Sequence, residues 1–194
     1  MIWSQITIPG KPRILMIDGT RNTQGWENEF ADRIFTVLKR KGLDLVGNAP
    51  LRPSQPKDLV AVLDGQDYFN CLFLLCHGEA ADVPEDTNLA AYWPSLSNYG
   101  SLTPKLLAIC SWETPDLETG ESILDARDSF AQIALVPGSA LSQRAAGLFY
   151  LKFFTELDLH ADDSIMGKMV WFSHAKAKEI LRRRSLTGEI KVRC

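Results

Sequence analysis

Two short apolar segments set the architecture of this chain: Cys71-Leu-Phe-Leu-Leu-Cys-His77-Gly78 and Pro104-Lys-Leu-Leu-Ala-Ile-Cys110-Ser-Trp112. Each has the length and composition of a strand that is buried on both faces of a sheet. Each leads to a side chain capable of chemistry that is followed by a small residue. Ligands of open parallel sheets bind beyond the carboxyl ends of the strands. We therefore expect His77 and Cys110 to face one substrate at that edge.

Apolar periodicity predicts alternating strands and helices around these two segments. Further strands are predicted at Arg13–Asp18, Asp44–Val46 and Gln132–Val136, and the tail 189–193 is either an edge strand or disordered. Helices are predicted at about 26–41, 54–64, 145–154 and 163–181, with a short one opening at Ser122. Residues 79–103 show no clear periodicity and are predicted to form a loop. This order predicts a three-layer α/β domain with a mainly parallel central sheet flanked by helices.

Length and charge narrow the class of protein. The 194 residues suit one domain with a sizeable core, so we expect residues 1–194 to form a single domain with a core at about 12–182. The net charge of −3 argues against nucleic acid as a partner, because phosphate-binding surfaces need excess Lys and Arg.

The four cysteines lack the spacing of a disulfide framework or of a zinc site, since no C-x-x-C pair occurs. A metal site made of Cys76, His77 and Cys110 is disfavoured, because adjacent strand residues point to opposite faces. The sequence shows no signal peptide and no apolar run long enough to span a bilayer. We therefore expect a reducing, cytoplasmic setting, no membrane partner, no metal and no cofactor.

The residue types at the two strand ends suit acyl transfer. A cysteine attacks a carbonyl carbon as the thiolate, and His77 is placed to favour that anion and to protonate the leaving amine. The backbone N–H groups of Gly78 and Cys110 are candidates for holding the oxyanion that develops. Together these groups form the minimum set for hydrolysis of a peptide or amide.

The His-Gly pair, the long loop and the strand that ends in Cys110-Ser-Trp-Glu113 resemble the catalytic segments of caspase-like (clan CD) cysteine peptidases. Within that group the chain is most similar to bacterial CHAT domains. The resemblance implies that His77 is the catalytic histidine, that Cys110 is the nucleophile and that the substrate is a protein or peptide. Tetratricopeptide repeats, which often accompany such domains, are absent from this sequence, so we expect regulation by a separate protein.

Specificity pockets in such folds are built from loops beyond the first and fourth strands, which makes Asp18, Arg21 and Glu113 the charged candidates. Arg21 would select an acidic residue before the scissile bond (P1), whereas Asp18 or Glu113 would select Lys or Arg. Because two of the three candidates are acidic and one is basic, a basic P1 residue is slightly favoured.

Two other functions stay open on the sequence. One is a catalytically silent caspase-like domain that serves as an interaction or scaffold module, for which the sign would be a buried or misdirected Cys110 with normal thiol reactivity. The other is a doubly wound domain that binds a small ligand where the strand order reverses. The aromatic residue Tyr92 is expected either to line a substrate groove or to anchor the loop.

Overall fold

The computed structural model describes residues 11–20, 26–77, 91–92, 94, 106–111, 133–137, 141–159, 166–186 and 190–193. Six strands form one sheet: β1 (Arg13–Asp18), β2 (Asp44–Leu45), β3 (Cys71–Cys76), β4 (Leu106–Ser111), β5 (Ile133–Pro137) and β6 (Ile190–Arg193). The longer helices among the described residues are α1 (Trp26–Arg40), α2 (Leu59–Asp64, entered through a 3₁₀ turn at Pro56–Asp58), α3 (Gln143–Leu159) and α4 (Met166–Arg183). The predicted core stopped at about residue 182, but the sheet continues beyond it, because β6 lies at Ile190–Arg193.

The strand order in the sheet is β2-β1-β3-β4-β5-β6. The first five strands run parallel to one another, and β6 runs antiparallel to β5 along the edge. The predicted α/β class with a mainly parallel sheet is therefore confirmed. The tail, which the sequence left open, forms the edge strand.

Alternation along the strands gives the sheet two buried faces. One face packs against α1, α3 and α4 through the odd-numbered residues of β3 and the even-numbered residues of β1 and β4. The opposite face packs against α2 through the remaining strand residues. Every residue of β3 is buried, as expected for a strand covered on both sides. The result is the three-layer arrangement that the element order predicted.

Several boundaries differ from the sequence predictions. The second strand keeps only Asp44 and Leu45, and the last helix begins at Met166 rather than at residue 163 or 164. Within residues 79–103, which the sequence predicts to be a loop, Ala91, Tyr92 and Pro94 are helical. The short helix predicted at Ser122 lies outside the described residues. Within the described ranges, no helix combines the length and the apolar character needed to cross a membrane.

The turn Asp18-Gly19-Thr20 after β1 is held from several sides. The Gly19 N–H donates to the carbonyl oxygen of Leu75 in β3 at 2.7 Å, and the Asp18 N–H donates to that of Leu51 at 2.8 Å. The buried Tyr92 donates its hydroxyl to the Gly19 carbonyl at 3.2 Å. A Cβ atom at position 19 would lie 2.8 Å from the Tyr92 ring and 2.9 Å from the Leu75 carbonyl. Glycine is therefore required here by close approach.

We predict that Gly19→Ala lowers the free energy of unfolding by about 1–3 kcal/mol, because backbone atoms of β3 cannot move away from the added methyl group. Urea unfolding followed by circular dichroism measures this change. The matched control is Gly65→Ala at the end of α2, where the new Cβ would meet its nearest atom at an ordinary 3.5 Å. That control should change stability by less than about 0.5 kcal/mol. Equal effects at the two positions would contradict the packing described.

Candidate active site

His77 directly follows β3 and is buried, with 1% of its surface exposed. Its Nε2 atom lies 3.2 Å from the carbonyl oxygen of Thr20 in the turn after β1. A carbonyl oxygen only accepts hydrogen bonds, so Nε2 carries the proton in this contact. In the neutral ring, Nδ1 then holds the lone pair and is the nitrogen that is able to take a proton from a thiol.

Cys110 lies in β4, beside β3. The register pairs Cys110 with Leu75, and both belong to the apolar cluster on the α1, α3 and α4 face. His77 is two residues beyond Leu75, so the alternation of strand side chains places it on that same face. Adjacent parallel strands then separate the Cα atoms of His77 and Cys110 by about 8 Å, a diagonal that an imidazole ring is able to bridge.

The surroundings of Cys110 favour the protonated thiol. None of its surface is exposed. Burial raises the pKa of the Cys110 thiol well above its ordinary value, and the neighbouring Cys76 raises it further. Since the thiolate is the nucleophile, the described conformation holds Cys110 in its unreactive form unless a base takes the proton or the site opens.

Tyr150 of α3 supports the strand that carries the cysteine. Its hydroxyl donates to the carbonyl oxygen of Ile109, and its ring packs on Phe73 with centroids 4.9 Å apart. Pairing between β4 and β5 ends at Ala108, one residue before this carbonyl. Burial raises the pKa of the Tyr150 hydroxyl, with Cys110 and Cys76 adding to the shift, so the group stays a hydrogen-bond donor.

Asp18, one of the predicted specificity residues, is 1% exposed and has internal partners for both carboxylate oxygens. Its Oδ1 atom accepts from the Thr20 backbone at 3.2 Å and from the Thr20 hydroxyl at 2.5 Å. Its Oδ2 atom accepts from Nε of Arg52 at 2.9 Å. Partial burial lowers the pKa of Arg52, but its hydrogen bond to Asp32 and the charge of Asp18 outweigh that effect and raise the pKa.

Tyr92 lies at the point where the strand order reverses, between the carboxyl ends of β1 and β3. The ring is fully buried against Gly19 and belongs to the apolar cluster of the α2 face. Of the two roles considered for this residue, anchoring of the loop is the one that is observed. A small ligand at this switch point would have to displace the Tyr92 ring.

The other sequence candidates divide into two groups. Cys71 and Cys76 are buried in the two apolar clusters on opposite faces of β3, and burial raises the pKa of each thiol. Cys76 therefore points away from the face that carries Cys110. Arg21, Gly78 and Glu113, predicted for substrate binding and for the oxyanion, lie outside the described residues.

Comparison with known proteins assigns no family to this chain. No protein-family model matches the sequence, and no curated protein matches it. The chemistry is therefore inferred from the residues of the chain itself, in which Cys110 lies in β4 and His77 directly follows the neighbouring strand β3.

Two residues beside this site were not predicted from the sequence. Arg52 is separated from Asp18 by 34 positions and follows an irregular segment, so no local pattern pointed to it. Tyr150 did carry a signal, because it is a hydroxyl-bearing residue within the otherwise apolar stripe of α3. A buried tyrosine hydroxyl needs a hydrogen-bond partner. Its presence therefore indicates a nearby polar side chain or a backbone group that can accept a further hydrogen bond.

We predict that Cys110 reacts slowly with small alkylating reagents in the native protein. Labelling of a buried thiol requires local opening, and opening that costs about 3 kcal/mol slows the reaction roughly a hundredfold. Iodoacetamide labelling followed by peptide mass spectrometry, in a Cys194→Ser background, compares native with urea-unfolded protein. Cys71, which is equally buried, serves as the internal reference. Native Cys110 that reacts as fast as unfolded Cys110 would contradict the closed site.

We predict that Tyr150→Phe lowers the free energy of unfolding by about 1–3 kcal/mol, because the Ile109 carbonyl loses its hydroxyl donor in a buried place. Thermal and urea unfolding measure the change. Tyr68→Phe is the matched control, since Tyr68 is 55% exposed and should change stability by less than about 0.5 kcal/mol. Indistinguishable stabilities for the two variants would contradict a supporting role for the Tyr150 hydroxyl.

Proposed function

We propose that this chain is a cysteine endopeptidase of the caspase-like type, similar to bacterial CHAT domains, in which Cys110 and His77 form the catalytic dyad. One observation carries the proposal: Cys110 lies opposite Leu75 in the pairing of β3 with β4, and His77 follows two residues later, directly after the carboxyl end of β3. The alternation of strand side chains supports placing both residues on one face. Ligands bind at that edge in sheets of this kind. Hydrolysis of an amide by this pair needs no cofactor.

The reaction we propose begins with transfer of the Cys110 thiol proton to Nδ1 of His77. The thiolate sulfur attacks the scissile carbonyl carbon, and the carbonyl electron pair moves to oxygen, where the backbone N–H groups of Gly78 and Cys110 stabilise the charge. Collapse of this intermediate breaks the C–N bond while His77 returns the proton to the leaving amine. Water activated by His77 then hydrolyses the thioester and releases the second product.

The buried state of Cys110 bears on regulation in this proposal. A thiol whose pKa is raised by burial is protonated at neutral pH, so the described conformation corresponds to a resting enzyme. We propose that a separate regulatory protein, self-cleavage or the substrate itself opens the site. A reducing, cytoplasmic location would keep the thiol available.

The proposed P1 preference is for a basic residue, but Glu113 now replaces Asp18 as the favoured acidic partner. The Asp18 carboxylate is already paired with Arg52, so a Lys or Arg side chain would have to compete with that guanidinium. Glu113 is consequently the stronger candidate for charge pairing with a basic P1 residue. Arg21 stays the candidate that would select an acidic one.

A second function is favoured by the same burial. In a catalytically silent domain that serves as an interaction or scaffold module, Cys110 would be a core residue with a neutral thiol, as it is in the described conformation. The two functions differ in what the loss of the thiol does. A silent module keeps its full function in Cys110→Ala, whereas a peptidase loses it.

We predict that Cys110→Ala and His77→Ala each lower peptide cleavage by at least about a thousandfold, because members of a catalytic unit are each indispensable. The measurement is mass-spectrometric detection of cleavage in a diverse peptide mixture, which also reads out the P1 residue. The mixture includes otherwise matched peptides with Arg, Lys or Asp at P1.

The matched control is Cys71→Ala, the same substitution at a buried cysteine of β3 that lies on the same face of the sheet as Cys110. It should weaken packing but leave cleavage within about threefold, since a core substitution acts on stability rather than on the reacting groups. Cleavage that survives in Cys110→Ala would contradict the proposal. Absence of cleavage in the unmodified protein, with and without cell extract, would favour the silent module.

A further inference from the structure

The carbonyl group that contacts His77 belongs to a turn held by charged side chains. Thr20 is fully buried, and both its backbone N–H and its hydroxyl donate to Oδ1 of Asp18, at 3.2 Å and 2.5 Å. These two bonds fix the orientation of the Gly19–Thr20 peptide group and of the Thr20 side chain. The Thr20 carbonyl oxygen then meets Nε2 of His77 at 3.2 Å.

Asp18 is in turn held from a distant part of the chain. Nε of Arg52 donates to Asp18 Oδ2 at 2.9 Å, and Nη2 of Arg52 donates to Oδ1 of Asp32 on α1 at 3.0 Å. The backbone next to Arg52 lies along β1, because Leu51 exchanges hydrogen bonds with Asp18 and Met16. Arg52 is therefore held in two ways: the backbone of the preceding residue is bonded to β1, and its own guanidinium is bonded to two carboxylates.

We propose that Arg52 and Asp18 are positioning residues for His77, acting through Thr20, and that this assignment rests on the peptidase function proposed above. We refer to Arg52, Asp18 and Thr20 as the brace. The brace holds Thr20 in place, the Thr20 carbonyl keeps the proton of His77 on Nε2, and Nδ1 is then the ring nitrogen that would take the thiol proton of Cys110 in the proposed reaction. Both Asp18 oxygens serve this purpose, which gives the acid a role other than substrate selection.

Charge makes Arg52 specifically suited to this role. Asp18 is nearly inaccessible to solvent, and a buried carboxylate without a partner is drawn towards water. Arg52 neutralises it while keeping 41% of its own side chain exposed, so the guanidinium remains partly hydrated. Without Arg52, we expect Asp18 to turn outward and release its two bonds to Thr20.

The direct test is nuclear magnetic resonance of the histidine rings in a Cys110→Ala background. A ring N–H proton that is bonded to a buried carbonyl exchanges slowly with water. We expect Arg52→Met to accelerate exchange of the His77 Nε2 proton by at least about tenfold, because the acceptor is no longer held. The ring of His174, whose Nε2 lies 2.7 Å from the Ile190 carbonyl, is the internal reference and should not change.

Arg33→Met is the matched control. Arg33 pairs with Glu29 on the exposed surface of α1, so the same substitution removes an arginine ion pair outside the brace. It should leave exchange at His77 unaltered. If Arg52→Met does not fold, Thr20→Val decides the question, since it removes the hydroxyl bond to Asp18 without changing charge. Thr36→Val, at an exposed position on α1, is its control.

The second readout is steady-state kinetics of peptide cleavage, measured in protein that retains Cys110. We expect Arg52→Met to lower kcat by roughly tenfold to a hundredfold with KM nearly unchanged, because a displaced base affects the chemical step more than binding. Unaltered exchange at His77 in both Arg52→Met and Thr20→Val would overturn the brace, even in an active peptidase. Accelerated exchange in a protein that cleaves no peptide would uphold the brace and overturn the peptidase.

Discussion

The alternation of side chains across parallel strands is the constraint on which the site depends. Because β3 and β4 pair with Leu75 opposite Cys110, every second residue of each strand shares one face. A shift of that register by one residue would send Cys110 to the α2 face and separate it from His77. The same alternation that buries the core therefore also underlies the proposed pairing of His77 with Cys110.

Burial of that edge obliges each polar group to have a partner within the fold. The His77 ring meets the Thr20 carbonyl, the Asp18 carboxylate meets Arg52, and the Tyr150 hydroxyl meets the Ile109 carbonyl. Each contact satisfies a group that would otherwise be costly to bury, and each also fixes a main-chain position near His77 or Cys110. Stability and preorganisation thus depend on the same hydrogen bonds. The thiol of Cys110 is held protonated by the same burial.

Local patterns predicted the strands well because each is a short apolar run bounded by polar or turn-forming residues. The sequence defined β1 to the residue, and the predicted ends of β3 and β4, at His77 and Cys110, each lie one residue from the observed ends at Cys76 and Ser111. Long-range pairing was less accessible, since nothing within a few positions of Asp18 or Arg52 shows that they form an ion pair. The antiparallel direction of β6 was likewise undetermined, because strand direction depends on how the chain returns to the sheet.

The measurement that tests the central claim most directly is covalent labelling of the unmodified protein with peptidyl acyloxymethyl ketones that carry Arg, Lys or Asp at P1. These probes bind as substrates do and trap a cysteine that is activated by a histidine. We predict an adduct on Cys110, found by peptide mass spectrometry, that is lost in His77→Ala and retained in Cys71→Ala. An adduct that forms equally well without His77, or one confined to other cysteines, would contradict the dyad.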